Sequence, residues 1–227
     1  GIYSLTTPVI VPTDPELIKD IYVRSFESFH DHGLPFNEKN DPLSGHLFSL
    51  NGQAWKDLRA KLSPTFTSGK MKMMFPIVSE TADRMIDYLM PYAERQEPHE
   101  MKEVYSSFTT EVIANVAFGL DIKCLGHSDS EFRKMGKRAI EPTGLENLKI
   151  MSMFAFPKLG DLFKFSFTPK EVEKFFMGTV KDTLNYREKN NIQRNDFFQL
   201  LMNIKNSEVG MSFNELAANS FVFFIAG

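Results

Sequence analysis

A hydrophobic period near 3.6 recurs along most of the chain, in segments punctuated by residues that start and stop helices. Residues 52–62 form one such segment, ended by Ser63-Pro64. After Pro76 a helix to about Leu89 sets Ile77, Val78, Thr81, Met85 and Leu89 on one face. Residues 101–118 do the same with Val104, Phe108, Val112 and Val116, and Gly119 suits the position just past the helix end. A weaker pattern runs from about Ser130 to Ile140. Thr168-Pro169-Lys170-Glu171 reads as a capping box with Pro at the first helical position, opening about five turns with Val172, Phe175, Phe176, Val180 and Leu184 inward. A helix near 196–205 follows. Ser212 and Glu215 form a second box before a last helix that is apolar nearly all round, as a buried central helix is.

The start differs. Residues 2–12 mix β-branched and aromatic residues with Pro8 and Pro12, which suits a strand or edge hairpin. Asp14-Pro15-Glu16 then caps a short helix with Leu17, Ile18, Ile21 and Tyr22 as its apolar face. Residues 27–50 are a long irregular connection, and 148–167 are rich in Met and Phe, with Phe163, Phe165 and Phe167 alternating. The expected fold class is mainly α, about eight helices with a small N-terminal β element, as one domain over 1–227. Both ends look cut: the chain opens inside a strand-like run and stops at Gly227 after Phe221-Val222-Phe223-Phe224-Ile225-Ala226, where a helix would leave carbonyls unpaired.

Composition narrows the function classes. A net charge of −3 argues against nucleic-acid binding driven by bulk charge. One cysteine, Cys124, excludes an intrachain disulfide framework and a multi-cysteine zinc site. No apolar run approaches the roughly 20 residues needed to span a bilayer. Phosphate loops, nucleophile elbows, His-Glu-x-x-His and EF-hand patterns are absent. His30 and His32 read as solvated side chains rather than a metal pair, and Cys124 as a buried structural thiol.

Trp55 and Arg59 share a helix face and offer donors without acceptors, which suits a carboxylate beside an apolar wall. Spacing alone favours the plainer reading, a packed indole with a stacked guanidinium. Lys56, Lys61, Lys70 and Lys72 read first as a solvated face and second as a docking patch for an acidic partner. Ala226-Gly227 admits close approach to the backbone, by a neighbouring helix or by a ligand.

These residues resemble a family. Trp55-Lys56-Asp57-Leu58-Arg59 with Leu62-Ser-Pro-Thr-Phe-Thr-Ser-Gly-Lys70 is similar to the C-helix region of microsomal cytochrome P450 enzymes. Asp14-Pro-Glu-Leu-Ile-Lys19, Glu111-Val-Ile-Ala with Ala117-Phe-Gly119, and Phe223-Phe-Ile-Ala-Gly227 match in order. Phe29-His-Asp-His-Gly33 most resembles the insect family-six branch; many relatives carry Arg where His32 stands.

The resemblance implies a partial P450 fold, from helix B to the start of helix I, cut at both ends. It implies a haem-thiolate monooxygenase that inserts one oxygen atom of dioxygen into apolar small molecules such as plant toxins or insecticides. The alternative is a non-catalytic helical fragment or binding module. Trp55 and Arg59 would bind the propionates of haem b, which overturns the plainer reading of that pair. Ala226 and Gly227 would lie over the haem, and Phe36, Phe48, Val222 and Ile225 would line the substrate space. The iron-ligating Cys is expected after Gly227, so Cys124 is not that ligand, and no metal ligand falls in this chain. The implied partners are NADPH–cytochrome P450 reductase, an apolar substrate and a membrane surface, on the cytosolic face of the endoplasmic reticulum. Met151, Met153, Phe154, Phe156 and Phe163 would touch the bilayer near the substrate entrance. Much of the Phe excess is expected around pocket and entrance. The last helix is expected to expose Phe221, Phe223 and Phe224 and make the chain poorly soluble.

Overall fold

A computed structural model describes residues 1–4, 7–34, 36–127, 129–155 and 166–226. The chain opens with an antiparallel pair, β1 (Ile2–Ser4) and β2 (Thr7–Val9), in register Ile2↔Val9 and Tyr3↔Pro8. Nine α-helices follow among the described residues: α1 (Pro15–Lys19), α2 (Gly52–Leu62), α3 (Ser68–Glu94), α4 (Met101–Phe118), α5 (Glu131–Ile140), α6 (Gly144–Ala155), α7 (Lys170–Asn190), α8 (Phe197–Lys205) and α9 (Phe213–Ala226). The mainly helical class with a small β element holds.

Helix α9 is the central rod. It packs on α4, α5, α7, α8 and the turn Pro42–Ser44, and Leu216, Ala217, Ala218, Asn219 and Ser220 are all fully covered. Around it sits a phenylalanine cluster. The Phe176 ring lies 5.0 Å from Phe221, 4.9 Å from Phe224 and 5.4 Å from Phe118. Burying rings of this size removes more apolar surface from water than any aliphatic alternative. The last helix therefore does not expose its phenylalanines: Phe221 and Phe224 are buried, and Phe223 packs on Phe66 and Phe197. Much of the Phe excess builds this core rather than a pocket.

Capping explains several boundaries. Asp14 accepts the Leu17 N–H at 2.9 Å, and the Ser212–Glu215 box closes with contacts of 2.7 and 3.1 Å. Gly119 ends α4 with φ +67°, the left-handed geometry that favours glycine. A third box, Thr143 with Glu146, starts α6, which runs on to Ala155 through the first half of the Met- and Phe-rich stretch.

Four expectations need correction. Helix α3 begins at Ser68 and runs through Pro76, because Pro76 and Lys72 are exposed and the Lys72 carbonyl freed by the proline can turn to water. The Thr168 box does not close: Pro169 holds the cap position, the Thr168 N–H goes to Asp41, and Glu171 accepts from Arg138. The apolar face of α1 reaches no core; Leu17 and Tyr22 are exposed. The inner face of α4 is partly polar, with Ser107, Glu111 and Asn115 buried where Phe108, Val112 and Val116 are only half-buried. Their partners make this tolerable: Glu111 accepts the Cys124 and Leu125 N–H groups at 2.6 and 2.8 Å, and Asn115 accepts from Arg194 at 2.6 Å.

Candidate functional site

Helix α2 is started from a distance. Asn51 makes no side-chain cap; Asp31 accepts the Gly52 N–H at 2.7 Å. This contact folds the 27–50 connection back onto the helix N-terminus, where a carboxylate is also favoured by the helix dipole. One turn along, the Trp55 ring packs half-buried at 5.9 Å from Phe26 and 6.3 Å from His30. His30 is thus a half-buried wall of the indole and not a solvated side chain; His32 is exposed, stacked 4.5 Å from Phe48. No group of three or more His, Cys, Asp or Glu among the described residues could hold a metal ion.

Arg59, one turn beyond Trp55, is exposed and makes no ion pair or hydrogen bond through its side chain with any described residue. The neighbouring lysines differ. Lys56 donates to Glu27 at 2.7 Å, and this contact holds the Glu27 carboxyl below the usual carboxylate range. Lys61 donates to Glu215 at 3.2 Å, joining the last turn of α2 to the first turn of α9. Burial pushes the Glu215 carboxyl up, but the Ser212 N–H and Lys61 outweigh it, so it lies below its ordinary value. Lys70 and Lys72 stay unpaired among the described residues.

Phe36 is half-buried against the core. Phe48 is 53% exposed, on a turn that Asn219 ties to α9 through the Leu47 N–H at 3.3 Å. Val222 is half-buried, and Ile225 is exposed at the mouth of a groove of about 560 Å³ between α4 and α5. Ala226 is exposed; Gly227 lies outside the described residues. The structure thus links three carriers of the expected site, α2, the 41–50 turn and α9, by two side-chain contacts. The groove that Ile225 lines is lined by no residue of α2 or of the 41–50 turn. Sequence reasoning missed Asp31, Asp41 and Asn219, whose partners lie far away in the chain, and it read Glu215 only as a cap.

Cys124 is buried. Its thiol lies 3.3 Å from Ser130 Oγ, and burial pushes its pKa up. That agrees with a structural thiol. Along α6, Leu145, Leu148, Met151 and Phe154 are all more than half exposed, whereas Met153 is 5% exposed and packed inward. Met153 is therefore removed from any membrane-facing set, and Phe156 and Phe163 lie outside the described residues. No helix among the described residues is long and apolar enough to cross a membrane.

Comparison with known proteins gives one consistent result. The family model for cytochrome P450 matches residues 1–227. Cytochrome P450 6A1 of Musca domestica is 40% identical over 233 residues, covering 100% of this chain and 46% of the relative. Cytochrome P450 6a2 of Drosophila melanogaster is 40% identical over 240 residues, covering 100% of this chain and 47% of the relative. The chain spans slightly under half the length of these relatives.

Proposed function

The chain belongs to the cytochrome P450 family and is similar to its insect family-six members, and from that premise we propose that the protein is a haem-thiolate monooxygenase acting on apolar small molecules. The observation that carries the reading is Arg59: an exposed, donor-only cation without a counter-charge among the described residues, one turn from an indole N–H that likewise has no acceptor there. That donor set fits the two propionates of haem b. Asp31 fixes the start of the helix, and Phe26 and His30 fix the indole, so the Trp55 donor stands in place before the cofactor arrives.

Bound haem supplies the redox chemistry that puts one oxygen atom of dioxygen into the substrate and releases the other as water, with electrons from NADPH through a flavin reductase. The chain's own residues bind and orient. Phe36, Phe48, Val222 and Ile225 offer apolar surface to the substrate and exclude water. The small residues Ala226 and Gly227 would leave room for dioxygen beside the haem. Cys124 is buried beside Ser130 and the Glu111 contact, and would not supply the thiolate.

For the reductase, Lys70 and Lys72 are the cations of the basic cluster without a partner among the described residues, since Lys56 and Lys61 already serve Glu27 and Glu215. The exposed row Leu145, Leu148, Met151 and Phe154 suits contact with the cytosolic surface of the endoplasmic reticulum membrane. The test is a reduced carbon-monoxide difference spectrum of the full-length protein, followed by turnover of an apolar substrate with NADPH and reductase. A thiolate-type band with oxygenated product is expected. Absence of both overturns the reading.

A further inference from the structure

The turn from Asp41 to Leu50 is pinned at both ends by buried side chains. At one end Asp41, 1% exposed, uses Oδ2 to accept the N–H groups of Phe167 at 3.1 Å and Thr168 at 2.9 Å, the residues that lead into α7. Lys170 in the first turn of α7 adds a 2.8 Å contact to the Asn40 carbonyl. At the other end Asn219, 0% exposed in the middle of α9, accepts the Leu47 N–H through Oδ1 at 3.3 Å. Its Nδ2 donates to the Glu215 carbonyl at 2.7 Å, which settles the direction in which the carboxamide points.

Between the pins the turn is internally bonded. Ser44 Oγ donates to the Asp41 carbonyl at 2.7 Å, Ser49 Oγ donates to the Ser44 carbonyl, and the Leu50 N–H reaches the His46 carbonyl at 3.1 Å. Leu43 and Leu50 anchor it in the core. Phe48 follows the Leu47 pin directly, and Val222 lies three residues after Asn219, on the same side of α9. The backbone that carries Phe48 is therefore tied to α9, the helix of Val222, by one buried carboxamide, and the start of the same turn is tied to the residues before α7 by one buried carboxylate.

We infer that Asn219 and Asp41 are positioning residues that determine product selectivity: they lock the Asp41–Leu50 turn between α7 and α9, so that Phe48 and Val222 present one fixed set of substrate carbons for oxidation. The inference rests on the monooxygenase reading above. Neither residue touches substrate. A polar group buried this deeply holds its partner strictly, because a loosened turn would leave the Leu47, Phe167 and Thr168 N–H groups unpaired away from water.

The test uses the haem-loaded full-length enzyme with its reductase and testosterone as probe, a rigid apolar molecule with several oxidisable carbons. Asn219→Leu and Asp41→Ala are each expected to change the ratio of hydroxylated products by about threefold or more. Each should also speed hydrogen exchange of the pinned amides by about tenfold. Because both act through one turn, the double variant should shift the ratio no further than the larger single change. Asp41→Asn, which keeps an acceptor oxygen, should retain the wild-type ratio. If Asn219→Leu does not fold, Asn219→Ser withdraws the same acceptor and reads the same ratio. Faster amide exchange with an unchanged product ratio overturns the inference and leaves the monooxygenase reading standing. A wild-type enzyme that shows neither a thiolate-type band nor any product overturns both.

Discussion

At the corner where α4, α7 and α8 meet, Arg187 and Asp196 are 2% and 0% exposed and bond in a fork at 2.9 and 2.6 Å. Asp196 also caps α8 through the Gln199 N–H at 2.8 Å, and Arg194 reaches the Gly119 carbonyl at 2.8 Å. On α2, by contrast, Arg59 stands exposed without a counter-charge among the described residues. Two arginines of the same charge thus meet opposite fates. The first is sealed, and its pairing offsets the cost of taking it out of water. The second is left open, which costs little in folding and leaves a donor fork for something outside the chain. The difference is one of pairing: Arg187 finds its counter-charge inside the chain, and Arg59 finds none among the described residues.

The largest expected effect is on the sealed corner. Asp196→Ala leaves Arg187 buried and unpaired and should cost about 3–5 kcal/mol of stability, read by denaturant titration. A loss no larger than a surface substitution would mean that the corner is not sealed in solution. Next comes Gly119→Ala. Its left-handed geometry costs about 1–2 kcal/mol for a residue with a Cβ. That Cβ would also meet the Arg187 guanidinium, adding about 1–3 kcal/mol of overpacking. Smaller again is the effect of acid on the 41–50 turn. Burial, partly opposed by Asp41, pushes the His46 pKa down from 6.5 to about 4. The unfolded chain therefore takes up a proton that the folded one refuses, and stability falls as pH drops from 6.5 towards 4. The loss should be on the order of 2 kcal/mol, and His46→Gln should flatten it.

How much of this was legible in the sequence follows from what periodicity can register. The Ser212–Glu215 box and the Gly119 stop could be read because their causes are local, and the span of α2 showed in its sequence although Asp31, 21 residues away, starts it. The Thr143–Glu146 signal was present too, yet the Met- and Phe-rich run after it reads equally well as a connection. The inner face of α4 was hidden because Glu111 and Asn115 are buried by partners, and a hydrophobic pattern counts them as outward. Asp41 and Asn219 were invisible for the same reason in stronger form: their partners lie 126 and 172 residues away. What the sequence hides is the polar frame, since burial of a polar group is decided by tertiary pairing and not by residue type.

The smallest expected effect on folding is at Arg59, and there the contrast between sealed and open arginine is tested most directly. In the full-length haem-loaded protein, Arg59→Ala removes a charge-assisted contact worth about 1.5–3 kcal/mol to a carboxylate. Haem transfer to an excess of apomyoglobin should then run about 10- to 100-fold faster, while the denaturant midpoint of the haem-free protein stays where it was. Unchanged haem transfer would contradict the propionate assignment and return Arg59 to an ordinary exposed side chain.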